Sequence, residues 1–73
     1  MTAEQLIKIY QDARREGFGN AAGAITASIL ADLAGFSQRQ MQRYLARMCA
    51  DGYFKFLGKS TMYGGYKLTL KAA

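Results

Sequence analysis

The sequence predicts a single α+β domain, covering residues 1–73, in which three helices are followed by a two-stranded β-hairpin. Two observations predict this fold class. Apolar residues recur at helical spacing over much of positions 3–50, and from Tyr53 onward the period changes to two, as in strands. Glycines and helix-capping residues separate these periodic segments. With 51% apolar and 21% charged residues, the 73-residue chain has the composition of one small folded domain.

The first helix is predicted from about Ala3 to Glu16. Thr2 and Gln5 have the spacing of a capping box, in which each side chain accepts a hydrogen bond from the other residue's backbone. Gly17 is expected to end this helix. The apolar face has the spacing i, i+3, i+4, i+7 and consists of Leu6, Ile9, Tyr10 and Ala13.

A glycine-rich connector is predicted to lead into the second helix. Residues 17–23 contain three glycines and Asn20, and Ala24-Ile25 is expected to form a short strand. Thr26 is the predicted N-cap of a helix that runs to Ala34. The side chains that we expect to be buried on this helix are Ile29, Leu30 and Leu33.

The third helix follows a three-residue turn. Gly35 tolerates the left-handed conformation that often ends a helix, and Ser37 is a good N-cap for a helix from Ser37 to Ala50. Two helices joined in this way form a helix-turn-helix. Its buried stripe is expected to be Met41, Leu45 and Met48.

The hairpin is predicted from two alternating segments, Tyr53–Leu57 and Tyr66–Leu70, with Asp51-Gly52 ending the helical pattern. The loop between the strands, residues 58–65, contains a lysine, two hydroxyl side chains and a tyrosine. Among the aromatic residues, Tyr63 is the best candidate for stacking or groove contact. Those expected in the core are Phe54, Phe56 and Tyr66.

The outer face of the third helix has the chemistry of a nucleic-acid contact. Arg39 and Arg43 lie opposite the apolar stripe together with two alanines, and no acidic residue occurs from position 36 to 50. Gln42 is on one flank, Gln40 and Arg47 are on the other, and Gln38 is peripheral. Arginine can bind guanine O6 and N7, and glutamine the N6/N7 edge of adenine. The alternative is that these residues form an ordinary solvated helix surface.

The net charge of +5 is unevenly distributed. Residues 1–35 contain three basic and four acidic side chains, giving −1, whereas residues 36–73 contain seven basic side chains and only Asp51, giving +6. A phosphate-facing surface requires such an asymmetry, because counterion release supplies much of the affinity for DNA. An acidic protein or an anionic membrane would also attract this half of the chain.

Other compartments and chemistries have little support in the sequence. Residues 17–36 approach the length of a membrane span but contain Asn20, Thr26, Ser28 and Asp32, and the chain does not open with the basic region of a signal peptide. We therefore expect a cytoplasmic protein, with Cys49 as a structural thiol. With no histidine, one cysteine and unpaired carboxylates, neither a metal site, a cofactor nor enzymatic activity is expected.

The order of these elements resembles the winged helix-turn-helix family. The residues that carry the resemblance are Thr26 before Leu30-Ala31-Asp32-Leu33, Gly35-Phe36-Ser37, Arg43-Tyr44-Leu45, Met48 with Asp51-Gly52-Tyr53, and Gly65-Tyr66-Lys67-Leu68-Thr69. Nearly the whole chain is covered, and its size is similar to that of small bacterial regulators of the fimbrial-operon type and of repressor DNA-binding domains. The resemblance implies that the third helix enters a major groove while the hairpin loop contacts backbone or a minor groove.

The resemblance also implies roles for individual residues. The base-reading set is Gln38, Arg39, Gln42 and Arg43. The residues expected to contact the DNA backbone are Ser37, Arg47, Lys55, Lys59, Ser60, Thr61 and Tyr63.

Two classes of function follow from these expectations. The first is a sequence-specific binder of double-stranded DNA, a small transcriptional regulator of bacterial, plasmid or phage origin. The second is a winged-helix module that binds a protein within a larger assembly. A homodimer through the first helix is a further expectation, because Ile7 lies about 100° away from the apolar stripe of that helix.

Overall fold

A computed structural model describes residues 1–59 and 63–69 of the chain. Three helices precede a two-stranded antiparallel hairpin, so the predicted α+β class and element order are confirmed. The helices are α1 (Ala3–Arg15), α2 (Ala27–Ala34) and α3 (Gln38–Ala50), and the strands are β1 (Phe54–Phe56) and β2 (Tyr66–Leu68).

The helices begin and end where their capping residues predict. The side chains of Thr2, Thr26 and Ser37 each accept a hydrogen bond from the backbone N–H three residues later. α1 ends at Arg15, and Gly17 follows with φ 93°. The carbonyl oxygen of Ala13 accepts the N–H groups of Glu16 and Phe18, which satisfies this group at the end of α1. The local sequence therefore predicts the ends of all three helices to within about one residue.

The core lies where the three helices meet the inner side of the hairpin. Leu30 of α2 and Met41 and Leu45 of α3 are completely enclosed. The ring of Phe54, only 2% exposed, meets Tyr10 edge-on at a centroid distance of 5.6 Å. The predicted burial of α1 and α3 is confirmed for Leu6, Tyr10, Ala13, Met41, Leu45 and Met48.

Two side chains that were expected in the core are exposed. Leu33 is 43% exposed, because the side of α2 that meets α1 and α3 buries Leu30 and Ala31 instead. Phe56 is 48% exposed, because the space between the end of β1 and α3 is open. Ile29, Ile9 and Tyr66 are intermediate and pack against the core.

The predicted strand at Ala24-Ile25 is reduced to a single paired residue. The N–H of Ile25 donates to the oxygen of Tyr66 at 2.9 Å, and the N–H of Tyr66 donates back at 2.8 Å. Thr26 caps α2 immediately afterwards, so the strand cannot extend further. The bridge nevertheless attaches β2 to the start of α2.

The hairpin strands are shorter than predicted but have the expected alternation. Phe54 pairs with Leu68, Lys55 with Lys67 and Phe56 with Tyr66. Leu70, at the end of the predicted second strand, lies outside the described residues. The hairpin therefore has an apolar side facing the helices and a side carrying two lysines.

Candidate nucleic-acid interface

The start of α3 is held by a reciprocal capping box. The N–H of Gln40 donates to Ser37 Oγ at 3.2 Å, and the N–H of Ser37 donates to Gln40 Oε1 at 3.3 Å. The hydroxyl of Ser37 also lies 3.3 Å from Gln40 Oε1. The hydroxyl of Ser37, which was predicted to contact the DNA backbone, thus already serves as the helix cap.

The rotation of α3 about its axis is set by its buried stripe. Met41 and Leu45 have no solvent-exposed surface, and the rings of Phe36 and Tyr44 stack at 5.6 Å beside the turn that precedes the helix. With this side fixed, the opposite face must point to solvent. The exposed residues of α3 are Gln38, Arg39, Gln40, Gln42, Arg43, Ala46, Arg47 and Ala50, which confirms the predicted outer face.

One flank of α3 faces the hairpin across an open cleft of about 400 Å³. Gln38 and Gln42, one helical turn apart, line it from α3, while Phe56 and Lys59 line it from the hairpin. Gln38, peripheral in the helical projection, is therefore brought next to Gln42 and a lysine. The structure groups these four residues at one place.

The other flank of α3 faces the start of α1. Arg47 lines a groove of about 310 Å³ there, together with Tyr44, Thr2 and Met1. Arg47 is consequently separated from the cleft by the width of the helix. The arginines Arg39 and Arg43 lie between the two flanks, on the part of α3 that projects furthest from the core.

Arg39 and Arg43 lie on a face of α3 that carries no acidic residue, whereas Arg47 shares its groove with Asp51. The ion pair found within residues 1–59 and 63–69 joins Arg15 to Asp12 on α1. Among the described residues, neither Arg39 nor Arg43 forms an ion pair with a carboxylate. A planar guanidinium without a carboxylate retains all its donors for a base edge or a phosphate.

The outer side of the hairpin places two lysines directly opposite each other. Lys55 of β1 pairs with Lys67 of β2, and both side chains are exposed. Like charges in this position repel and destabilise the pair of strands. No contact was predicted for Lys67. Its position opposite Lys55 depends on the strand register, which alternation alone does not specify.

The hairpin loop is described in part. Lys59 is exposed at the edge of the cleft, and Tyr63 is 55% exposed. Ser60 and Thr61, which were predicted to contact the DNA backbone, lie outside the described residues. Among the described residues of the loop, the cleft is thus lined by Lys59 together with Gly58 and Gly65.

Cys49 and Tyr66 connect the end of α3 to the hairpin. Burial raises the pKa of the Cys49 thiol above its ordinary value of 9.0, which keeps the thiol protonated at neutral pH. Burial also raises the pKa of the Tyr66 hydroxyl above 10.0, and the neighbouring Cys49 raises it further. The Cys49 thiol and the Tyr66 hydroxyl are therefore both uncharged at neutral pH, as expected for groups with a structural role.

The residues that the structure describes contain no feature for metal binding or membrane insertion. Within positions 1–59 and 63–69, no three cysteine or carboxylate side chains cluster in a way that would hold a metal ion. Over the same positions, no helix combines the length and apolar character of a membrane span.

Comparison of the chain with protein-family models, with curated proteins and with solved structures found no match.

Proposed function

We propose that this protein is a sequence-specific binder of double-stranded DNA with the architecture of a winged helix-turn-helix, and that it acts as a small transcriptional regulator. In this proposal α3 enters the major groove, and the hairpin loop of residues 58–65 lies on the backbone or in the minor groove. The observation that carries the proposal is the exposed face of α3, which presents Arg39, Arg43 and Arg47 and contains no acidic residue.

The position of each arginine supports a division of roles. Arg39 and Arg43 occupy the most projecting part of α3, beside Ala46 and Ala50, whose small side chains allow the helix to lie close to base edges. Arg47 lies on the flank of α3, where it would face the sugar-phosphate backbone of the DNA rather than a base pair. We infer that the first two arginines contact bases and that Arg47 contacts a phosphate.

The hairpin supports the same proposal through its charge. Lys55 and Lys67 place two positive charges on the outer side of the hairpin, where the Lys67 side chain lies next to Gly23. Lys59 adds a third positive charge at the edge of the cleft next to α3. The lysines are therefore assigned to backbone contacts, which carry affinity without base preference.

A titration of mixed genomic duplex DNA at several salt concentrations tests the proposal. If six cationic side chains (Arg39, Arg43, Arg47, Lys55, Lys59 and Lys67) contacted phosphates, the logarithm of the binding constant would fall with the logarithm of salt with a slope of about −5. Base-contacting arginines reduce that slope, so a value of about −3 to −5 is expected. No binding at low salt, or a shallow slope, would exclude DNA as the partner and favour the protein-interaction alternative.

Pairing of two copies through α1 remains part of the proposal. Ile7 packs against the core and is partly exposed, so its outer edge is available to a second copy. Sedimentation equilibrium of the free protein tests this point, because a dimer has twice the mass of the chain. A monomer at all concentrations would exclude pairing through Ile7 in the absence of DNA.

A further inference from the structure

The cleft between α3 and the hairpin is lined by amide, aromatic and ammonium side chains. Two carboxamides, Gln38 and Gln42, form one wall, and the aromatic rings of Phe56 and Tyr66 line the other. Lys59 lies at its edge. Hydrogen-bonding amides thus face an apolar surface across a space of about 400 Å³.

Phe56 is the unusual member of this set. Phe54, two residues earlier on the same side of β1, is almost completely buried, whereas Phe56 is 48% exposed. The ring of Phe56 rests on Tyr66 at a centroid distance of 4.9 Å and a tilt of 40°, so one side of it is supported and the other is free. A large aromatic ring held in this way offers a fixed apolar contact to a ligand.

We propose that the cleft recognises an A·T base pair in the major groove, with Phe56 against the C5 methyl group of thymine and Gln42 or Gln38 on adenine. This inference rests on the proposed DNA-binding function and adds the identity of the base pair. Adenine presents an acceptor and a donor, N7 and N6, that match a carboxamide, and thymine presents the only methyl group in the major groove. A G·C pair offers neither the methyl group nor the adenine pattern.

The location of the cleft also determines where the A·T pair lies in the target. Gln38 and Gln42 are on the hairpin flank of α3, while Arg39 and Arg43 are on its outermost face, where guanine is the preferred partner. The A·T pair must therefore lie at the hairpin end of the contacted bases, next to the guanines. Duplexes selected from a random pool should share this order.

Replacement of thymine by deoxyuridine tests the role of the methyl group. A bound duplex is first selected from a random pool with the full chain, and each thymine is then replaced singly by deoxyuridine, which removes only the C5 methyl group. Burial of one methyl-sized group corresponds to roughly a four-fold change in the dissociation constant. We expect a weakening of about this size at one thymine, with an unchanged salt slope.

The Phe56→Ala variant identifies the residue that contacts the methyl group. This variant should bind the thymine and deoxyuridine duplexes equally, whereas the matched control Leu33→Ala should retain the difference. Leu33 is a similarly exposed apolar residue on α2 that lines a different groove, with Ile9 and Glu16. Thermal unfolding of both variants verifies that they are folded.

The outcomes separate this inference from the proposed function. If the wild type binds duplex DNA with a steep salt slope but no single deoxyuridine weakens binding, the methyl contact is wrong and DNA binding stands. A methyl effect that persists in Phe56→Ala would likewise overturn the assignment to Phe56. If no duplex is bound at any salt concentration, the proposed function itself fails.

Discussion

The side-chain amide of Asn20 donates a 2.6 Å hydrogen bond to the carbonyl oxygen of Gly64, 44 residues further along the chain. Its Oδ1 atom accepts the N–H groups of Ala22 and Ala24 at 3.0 and 3.1 Å. Asn20 therefore folds the glycine-rich connector upon itself and attaches it to the hairpin. The connector is held further by Tyr10, whose hydroxyl donates to the carbonyl oxygen of Gly23, and by Arg14, which donates to that of Phe18.

The Asn20→Asp variant should destabilise the fold. A carboxylate can still accept from Ala22 and Ala24, but it cannot donate to Gly64, and it places a negative charge against a carbonyl oxygen. We expect a loss of about 1–3 kcal/mol in the free energy of unfolding, measured by urea titration. Gln11→Glu makes the same chemical change on the exposed surface of α1 and should leave stability nearly unchanged; equal urea midpoints for the two variants would contradict the role assigned to Asn20.

The Gly65→Ala variant should be more harmful than Gly58→Ala. Both glycines have positive φ, 116° and 103°, so both substitutions impose backbone strain of about 1–2 kcal/mol. At Gly65 the added Cβ would also lie 2.8 Å from the carbonyl oxygen of Ile25, whereas at Gly58 it would meet nothing within 4 Å. The difference between their unfolding free energies thus isolates the close approach of β2 to Ile25.

Thermal unfolding of the two variants measures this difference. We expect Gly65→Ala to lose at least about 1 kcal/mol more than Gly58→Ala, because the substitution disrupts the bridge between Ile25 and Tyr66 as well as the turn. Similar melting temperatures would mean that β2 can move away from Ile25 without cost.

A feature of this fold is predictable from the sequence when residues close together in the chain determine it. The ends of the helices follow from residues within one turn, such as Ser37 with Gln40, and were predicted correctly. The exposure of Leu33 and Phe56 depends on which distant element covers them, and alternation or helical spacing does not contain that information. The contact between Asn20 and Gly64 joins two loops and has no local signature.

The candidate site likewise has features that local sequence predicts and features that depend on the packing of distant elements. The outward direction of Arg39 and Arg43 follows from helical periodicity alone, since three buried side chains define the opposite face. The cleft that joins Gln38 and Gln42 to Phe56 requires the packing of the hairpin against α3, which lies beyond any sequence period. The pairing of Lys55 with Lys67 was not predicted, because strand alternation does not specify the register of a hairpin.

Substitution of single basic residues should separate base contacts from phosphate contacts. Arg43→Ala is expected to cost about 1–3 kcal/mol on the preferred duplex and little on unrelated duplexes, because a guanidinium fork distinguishes guanine from other bases. Lys59→Ala should weaken all duplexes alike and reduce the salt slope by about 1. Fluorescence anisotropy with one selected and one scrambled duplex measures both effects.

Lys8→Ala is the matched control for these substitutions. It removes the same charge from the exposed surface of α1, where it lies in a groove beside Gln5 and Ile9 rather than on the proposed interface. Binding should change by much less than for Arg43→Ala. Equal losses for all three variants would show that only net charge matters and would refute the assignment of base contacts to α3.

Stability should decrease at alkaline pH because of Cys49 and Tyr66. The pKa of each is raised in the folded protein above its ordinary value, 9.0 for the thiol and 10.0 for the phenol. The unfolded chain therefore releases these protons at lower pH than the folded chain does, so their contribution to stability is complete below about pH 9 and is lost as pH rises through the folded pKa values.

Urea midpoints between pH 8 and pH 11 measure this decline. The double variant Cys49→Ala with Tyr66→Phe removes both titrating groups, and its midpoint should fall less steeply over this interval than that of the wild type. Parallel curves for the two proteins would mean that other groups cause the alkaline loss of stability.

The paired hydrogen bonds between Ile25 and Tyr66 have a consequence for amide hydrogen exchange. Each residue donates its N–H to the other's carbonyl oxygen, so separation of β2 from Ile25 breaks both bonds together. The two amides, 41 positions apart, should therefore show the same protection factor and define one cooperative opening unit that includes the start of α2. A duplex that stabilises the hairpin should slow the exchange of both protons equally, so the pair reports on occupancy of the cleft that Tyr66 lines.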